Sequence, residues 1–163
     1  MIVRKKICLV LTILWMGVIF AYSAQPGAES EGSSRWAGTM FAKIFVPGFE
    51  DWSEAEQIEF AVKIDHPVRK AAHFTEYTIL GFFVAGAYAT MDKSKKKNIL
   101  APWSIASFYA ATDELHQVFV PGRDGNIKDV LLDSAGVLFG VLMLLLAMRL
   151  VKSFKERAES KGK

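Results

Sequence analysis

The stretch Val130–Val151, VLLDSAGVLFGVLMLLLAMRLV, decides the class of fold. It contains one acidic residue, Asp133, and one basic residue, Arg149, among about 22 residues that are otherwise apolar or small. At about 1.5 Å of rise per residue, a helix of this length crosses the roughly 30 Å hydrocarbon core of a bilayer. The stretch therefore predicts a membrane-spanning α-helix.

Three further apolar windows precede it, at about residues 7–24, 71–91 and 99–118. Hydrophobic residues make up 52% of the 163-residue chain, which is high for a soluble domain. We expect an all-α integral membrane bundle of four transmembrane helices. The first window is also compatible with a cleaved signal peptide, because basic residues precede it and small residues end it. Its length, with Trp15 and Tyr22 inside it, favours a span.

Lysine and arginine cluster before the first window, between the second and third, and after the fourth. Basic loops stay in the cytoplasm, so this pattern predicts that both termini are cytoplasmic. The same clusters account for the net charge of +3 without a nucleic-acid partner, since they can meet anionic lipid headgroups. No nucleic-acid-binding motif is found.

The segment of residues 25–70 lies outside the membrane in this scheme and predicts one or two short amphipathic helices. The first covers Trp36–Phe45. The second begins at a capping box, Ser53-x-x-Glu56, and runs to about Ile64 with Ile58, Ala61 and Val62 on its buried side. Residues 30–34 are small and polar and predict a loop, and Pro67 predicts the first turn of the second span.

The domain organisation predicted from these features has two parts. Residues 1–152 form the membrane domain, and residues 153–163 form a basic cytoplasmic tail that is frayed after Phe154. Asn126 is suited to cap the fourth helix. Cys8 is the single cysteine, so an intramolecular disulfide is impossible.

Ionisable and polar residues fall at three helix ends. The spacing places them on single helix faces, and alternate spans run in opposite directions, so all three ends lie at the outer surface. An ionised side chain in hydrocarbon costs at least about 2.5 kcal/mol, which favours groups that face one another or a wet cavity. The predicted cluster comprises Arg69, Lys70, His73, Glu76 and Tyr77 from the second helix, Asp113, Glu114, His116 and Gln117 from the third, Arg123 after it, and Asp129 and Asp133 from the fourth.

Gly136 and Gly140 form a small-xxx-small pattern on the fourth helix. Such a pattern lets another helix approach closely. A homo-oligomer formed through these two glycines is one partner arrangement that the sequence offers.

Several ordered motifs in these segments resemble the VanZ-like family of small bacterial membrane proteins. The motifs are R69-K-x-x-H-F-x-E-Y77 with L80-G81, D113-E-x-x-Q117, P121-G-R123, Asp129 and Gly136, together with S23-A-Q-P26 at the end of the first span. The match runs from about Trp15 to Gly140. The family usually has Asn where this chain has Asp133. The resemblance implies a bacterial cell membrane location and a link to tolerance of the glycopeptide teicoplanin, but it implies no reaction and no cofactor.

Binding of an anionic lipid or a lipid-linked cell-wall intermediate is the first interpretation of the cluster. Arg69, Lys70 and Arg123 would contact phosphate or carboxylate groups, because arginine suits bidentate contacts with them. Gln117 and Asp129 complete the predicted binding set.

Two other interpretations stay open. In a membrane-embedded hydrolase or transferase, His73, Glu76, Asp113 and Glu114 would supply the acid and base. The set His73, Glu76 and Glu114 could instead hold a divalent cation that activates water. In the third interpretation the same groups form a structural polar network without a ligand.

Overall fold

The computed structural model describes residues 2–91 and 93–161. These residues form five α-helices and one 3-10 turn, with no strand, which confirms the all-α prediction. The helices are α1 Ile2–Ser23, α2 Gly27–Phe45, α3 Glu54–Tyr88, α4 Lys95–Gln117 and α5 Ile127–Lys161, and the 3-10 turn is Phe49–Asp51.

Among the described helices, α1 and α5 are long and apolar enough to cross a membrane. Their qualifying segments are Ile2–Ser23 and Ile127–Ser160. The other long helices, α3 and α4, each carry the ionisable residues of the predicted cluster, and these lower their mean hydropathy.

The long helix α3 joins two elements that the sequence analysis separated. Ser53 is its N-cap and forms the predicted capping box with Glu56, which is confirmed. The predicted helix start at Pro67 is wrong, because Pro67 lies inside α3. Proline removes one hydrogen bond and crowds the preceding turn. Packing against α2 offsets this cost, since Gly38 of α2 lies against Ile64 and Val68 of α3.

The helix α2 begins earlier than predicted, and the loop predicted at residues 30–34 is wrong. The hydroxyls of Ser33 and Ser34 donate to the carbonyl oxygens one turn back, at 3.1 Å each. Serine satisfies its own hydroxyl in this way without ending a helix. Ser34 also bonds Asp65 of α3, so the serine run faces the neighbouring helix.

The residues buried in the first half of α3 differ in part from those predicted. Ala61 is buried as predicted, but Ile58 and Val62 are exposed. The reason is that α2 lies against the side that carries Ile64 and Val68. Two large apolar side chains of α2, Phe41 and Phe45, are exposed as well.

Close backbone packing joins α3 to α5. A Cβ atom on Gly136 would lie 2.5 Å from the Phe74 carbonyl oxygen, and one on Gly140 would collide with the Thr78 carbonyl oxygen. The close helix approach predicted from these glycines is confirmed, but the helix they meet is α3 of the same chain.

The end of α5 corrects the predicted frayed tail. The helix continues past Phe154 to Lys161, with its last turns exposed. The predicted cap at its start is present, because the Asn126 side chain accepts a hydrogen bond from the Lys128 backbone N–H at 3.0 Å.

Candidate functional site

The predicted polar residues of α3, α4 and α5 do meet at one end of the bundle, which we call the site end. There the Tyr77 hydroxyl donates to Asp113 Oδ2 at 3.0 Å. His73 Nδ1 lies 3.8 Å from Asp133 Oδ1. The Tyr77–Asp113 hydrogen bond joins α3 to α4, and the longer His73–Asp133 approach places α5 beside α3.

The opposite end of the bundle is rich in basic residues. Arg4 at the start of α1 donates to the Met148 sulfur at 3.0 Å and to the carbonyl oxygen of Ala89, just after α3. This basic end therefore contains the start of α1, the end of α3 and the last third of α5. Successive long helices run in opposite directions, as the sequence analysis expected.

A cavity of about 160 Å³ opens at the site end. Five of the predicted site residues line it, namely Arg69, His73, Glu76, Asp113 and Arg123. Sequence reasoning missed a set of hydroxyl groups in the same wall, from Ser23, Ser30, Ser33 and Ser34. The signal for Ser23 was its place in the S23-A-Q-P26 element, whereas the other three were assigned to a loop.

Asp113 is the most buried carboxylate of the cavity wall, with 4% of its surface exposed. Its Oδ2 accepts hydrogen bonds from Tyr77 and, at 3.3 Å, from the Gln117 amide. The Gln117 oxygen accepts from Arg123 at 3.4 Å. Gln117 thus lies behind the cavity wall and connects the carboxylate of Asp113 to the guanidinium of Arg123.

Arg123 connects the turn after α4 to the end of α1. Its Nε donates to the Gln25 carbonyl oxygen at 2.9 Å, and a terminal nitrogen donates to the Tyr22 carbonyl oxygen at 2.8 Å. These are carbonyls at a helix C-terminus, where a cation is favoured. The Arg123 side chain therefore anchors α1 as well as lining the cavity.

Burial lowers the pKa of the Arg123 guanidinium, and the nearby charge of Arg69 lowers this pKa further, while the acidic groups of the site oppose both effects. Guanidinium groups stay protonated in proteins, so the side chain brings a positive charge to the cavity.

The turn that carries Arg123 fits closely against the start of α2. Gly122 has a φ of 74°, a left-handed conformation that glycine adopts freely. The Gly27 N–H donates to the Pro121 carbonyl oxygen at 3.0 Å. A side chain on Gly27 would collide with the Gly122 carbonyl, so two glycines allow this contact.

His73 has a buried carboxylate behind it. Asp133 is only 1% exposed, and His73 lies between it and the cavity, whose wall it helps to form. The 3.8 Å between His73 Nδ1 and Asp133 Oδ1 is longer than a hydrogen bond, and within residues 2–91 and 93–161 both atoms are buried without a hydrogen-bond partner. The carboxylate therefore lies next to the imidazole without bonding it.

Three other predicted site residues do not line the cavity. Lys70 and Asp129 form an ion pair with each other. Glu114 is buried and accepts a hydrogen bond from the Asn126 backbone N–H at 2.7 Å, next to the start of α5. These contacts join α3 and α4 to the start of α5.

The predicted metal set of His73, Glu76 and Glu114 does not come together. Within residues 2–91 and 93–161, no three His, Cys, Asp or Glu side chains are arranged to hold a metal ion. Glu114 instead bonds the backbone beside α5, while His73 and Glu76 face the cavity.

Comparison with known families gives the chain its classification. The family model described as VanZ/LLP1 matches residues 8–149, which include every residue that lines the cavity. The chain belongs to the VanZ/LLP1 family. The resemblance inferred from the sequence motifs is thereby confirmed. Neither the search of curated proteins nor that of solved structures gave a match. Membership of the VanZ/LLP1 family, together with the two apolar helices, indicates a membrane protein.

Proposed function

We propose that α1, α3, α4 and α5 all span the bacterial cytoplasmic membrane, with both termini inside. The distribution of side chains on α4 supports this, since it is the reverse of that in a soluble protein. Phe108 is 72% exposed and Ile105 is 55% exposed, whereas Asp113 and Glu114 are buried. A helix in lipid turns its apolar side outward and its charged groups inward.

Charge placement supports the orientation. The basic end carries Arg4, the lysines at the start of α4 and those late in α5, and such residues are retained on the cytoplasmic side. In this arrangement residues 1–152 are the membrane domain and residues 153–163 are a basic cytoplasmic tail, which is helical as far as Lys161. The cavity then opens toward the outside.

The function that we propose is binding of the headgroup of an anionic envelope molecule, either a lipid or a lipid-linked cell-wall intermediate. The observation that carries the proposal is one cavity that combines Arg69 and Arg123 with Glu76, Asp113 and several serine hydroxyls. Arginine suits phosphate and carboxylate. The carboxylates and hydroxyls suit hydroxyl groups on the same ligand. The geometry thus favours a head with both an anionic group and hydroxyls.

The cationic side chain that tests this proposal best is Arg69. It forms an i,i+4 pair with Asp65 at 2.6 Å, and Arg35 forms the same kind of pair with Glu31 at 2.7 Å outside the cavity. Arg69→Gln should therefore weaken binding of phosphatidylglycerol about tenfold, equivalent to about 1.4 kcal/mol. Arg35→Gln should leave it unchanged. Native mass spectrometry of the purified protein in detergent measures both, and equal binding by the two variants would rule the headgroup site out.

Glycopeptide tolerance is the cellular role that we propose for this binding. Glu76→Gln and Asp113→Asn change the cavity wall without changing side-chain size. Both variants should lose any teicoplanin tolerance that the wild-type chain confers, while still inserting into the membrane. Full tolerance in an inserted double variant would leave only a structural role for the network.

A second candidate function is hydrolysis of such a lipid, and the buried contact between His73 and Asp133 favours it. An imidazole beside a carboxylate can act as a general base toward water. His73→Gln should then abolish the release of headgroup from phosphatidylglycerol vesicles that contain the protein. If the wild-type protein releases no headgroup, this candidate is excluded while the binding proposal stands.

A further inference from the structure

An apolar groove of about 720 Å³ runs along α3 on the side away from α5. Phe41, Phe60 and Ile64 line its outer part, and Ala71, Thr75 and Ile79 line the part nearer the middle of the bundle. From Phe60 to Ile79 the rise of the helix gives a length of about 28 Å. The volume lies within the range of about 300–1,000 Å³ that is usual for ligand sites.

This groove is continuous with the polar cavity. Ala37, Val68, Ala72 and Glu76 belong to the walls of both. Two of these four residues are alanines, whose small side chains leave little protein between the cavity and the groove. The Trp15 indole N–H donates to the Glu76 carbonyl oxygen at 2.9 Å, which fixes an aromatic ring beside this junction.

The lining changes across the junction. The residues that line the cavity include two arginines, two acids and four serines among apolar neighbours, whereas the residues that line the groove are almost wholly apolar apart from Thr75 and Glu76. The cavity, at about 160 Å³, is close to the size of a cavity that holds one benzene molecule. It therefore has room for one compact polar group, such as a phosphate or a glycerol unit, but not for a hydrocarbon chain.

We propose that the groove holds the hydrocarbon chain of the same molecule whose headgroup enters the cavity. The ligand class is a glycerophospholipid with a phosphate and free hydroxyls in its head, such as phosphatidylglycerol. Its phosphate lies toward Arg69 and Arg123, its hydroxyls donate to Glu76 and Asp113, and its chain runs past Ala71 and Thr75 toward Ile79. This inference rests on the headgroup site proposed above.

Binding of the chain depends on fit rather than on the hydrophobic effect. In a membrane or a micelle the chain is already in an apolar medium, so the gain comes from packing contacts. Filling the groove should accordingly weaken long-chain ligands and leave short-chain ligands with the same head unaffected.

The test fills the groove at a position that the cavity does not share. Ala71 is exposed and lines the groove only, and Ala135 on the lipid-facing side of α5 is exposed and lines neither space. Ala71→Trp and Ala135→Trp thus add the same side chain to comparable surfaces. Thr75→Leu is a smaller filling change in case Ala71→Trp does not fold.

Binding is measured by native mass spectrometry with three probes: dioleoyl phosphatidylglycerol, dihexanoyl phosphatidylglycerol and a sugar-bearing polyprenyl phosphate. We expect Ala71→Trp or Thr75→Leu to weaken dioleoyl phosphatidylglycerol about tenfold, which is about 1.4 kcal/mol, without weakening the short-chain probe. If only the polyprenyl probe is weakened, the assignment of a glycerophospholipid to the groove is wrong. Ala135→Trp should change none of them.

Two other results would overturn the inference. If both groove variants bind the long-chain probes as the wild type does, the groove contains only bulk lipid, while a normal loss of binding in Arg69→Gln still supports the headgroup site. If no probe binds the wild-type protein, the headgroup proposal itself fails and the groove proposal fails with it.

Discussion

Replacing Gly140 with alanine tests the close contact between α3 and α5, the helices that carry His73 and Asp133. The new Cβ would lie 2.8 Å from the Phe82 nitrogen and 2.9 Å from the Thr78 carbonyl carbon, and closer still to the Thr78 oxygen. Ordinary contact begins at 3.4 Å. All of these atoms belong to backbone, which cannot move as a side chain can, so α3 and α5 must separate. Relief of the Phe82 nitrogen alone requires about 0.6 Å, the difference between 3.4 and 2.8 Å, and relief of the Thr78 oxygen requires more.

The magnitude follows from two opposing effects. Overpacking a well-packed interior costs about 1–3 kcal/mol, and a clash with backbone belongs at the upper end. Alanine regains about 1 kcal/mol of helix propensity relative to glycine. We expect a net destabilisation of about 2 kcal/mol, which lowers the unfolding midpoint by about 4–8 °C for a chain of this size. Headgroup binding should weaken as well, because His73 and Asp133 lie on the two helices that separate.

The matched control is Gly17→Ala in α1. No atom lies within 4 Å of a Cβ at that position, so only the gain in helix propensity remains. Its midpoint should rise by about 2–4 °C. Thermal unfolding of both variants in detergent, followed by size-exclusion chromatography with fluorescence detection, gives the comparison. A midpoint for Gly140→Ala equal to that of Gly17→Ala would refute the close packing of α3 on α5.

Three further predictions concern the polar contacts. Tyr77→Phe removes the donor to Asp113 inside the protein and should lower stability by about 1–3 kcal/mol, because it leaves a buried acceptor short of a partner; chemical denaturation measures the loss. Lys70→Gln, Asp129→Asn and the double variant should show a coupling energy of about 0.5–3 kcal/mol, and additive effects would contradict a direct pair. Hydrogen bonds from the Ser53 hydroxyl and the Ser53 backbone N–H lower the pKa of the Glu56 carboxyl from its usual value. The stabilisation that the ionised Glu56 gives the helix is therefore present above the usual pKa and disappears as the pH falls through the lowered pKa. The pH dependence of hydrogen exchange in the first turn of α3 measures this effect, and Glu56→Gln should abolish it.

Local chemistry made several features predictable. The capping box at Ser53 needs only residues three apart, and the cap at Asn126 needs only residues two apart. The meeting of polar residues at one end of the bundle was also predictable. The prediction needed only the positions of charged residues within the apolar windows and the alternating direction of successive helices.

Other features depended on contacts between distant parts of the chain. Pro67 predicts a helix boundary by its own chemistry, yet α3 continues through it because α2 packs alongside. For the same reason the serines of residues 30–34 form part of a helix that faces the cavity. No local pattern in those serines indicates a helix.

Arg123 and Gly140 show the same division. The sequence placed a cation after the third predicted span and a small residue in the fourth, and both identities were informative. Which carbonyls the guanidinium meets, and which helix lies against the glycine, depend on α1 and α3, which are about 100 and 60 residues away. The sequence by itself determined the helical class, the family and the types of side chain at the site. Only the tertiary structure decided which of them share a cavity, because that depends on how helices distant in sequence pack against one another.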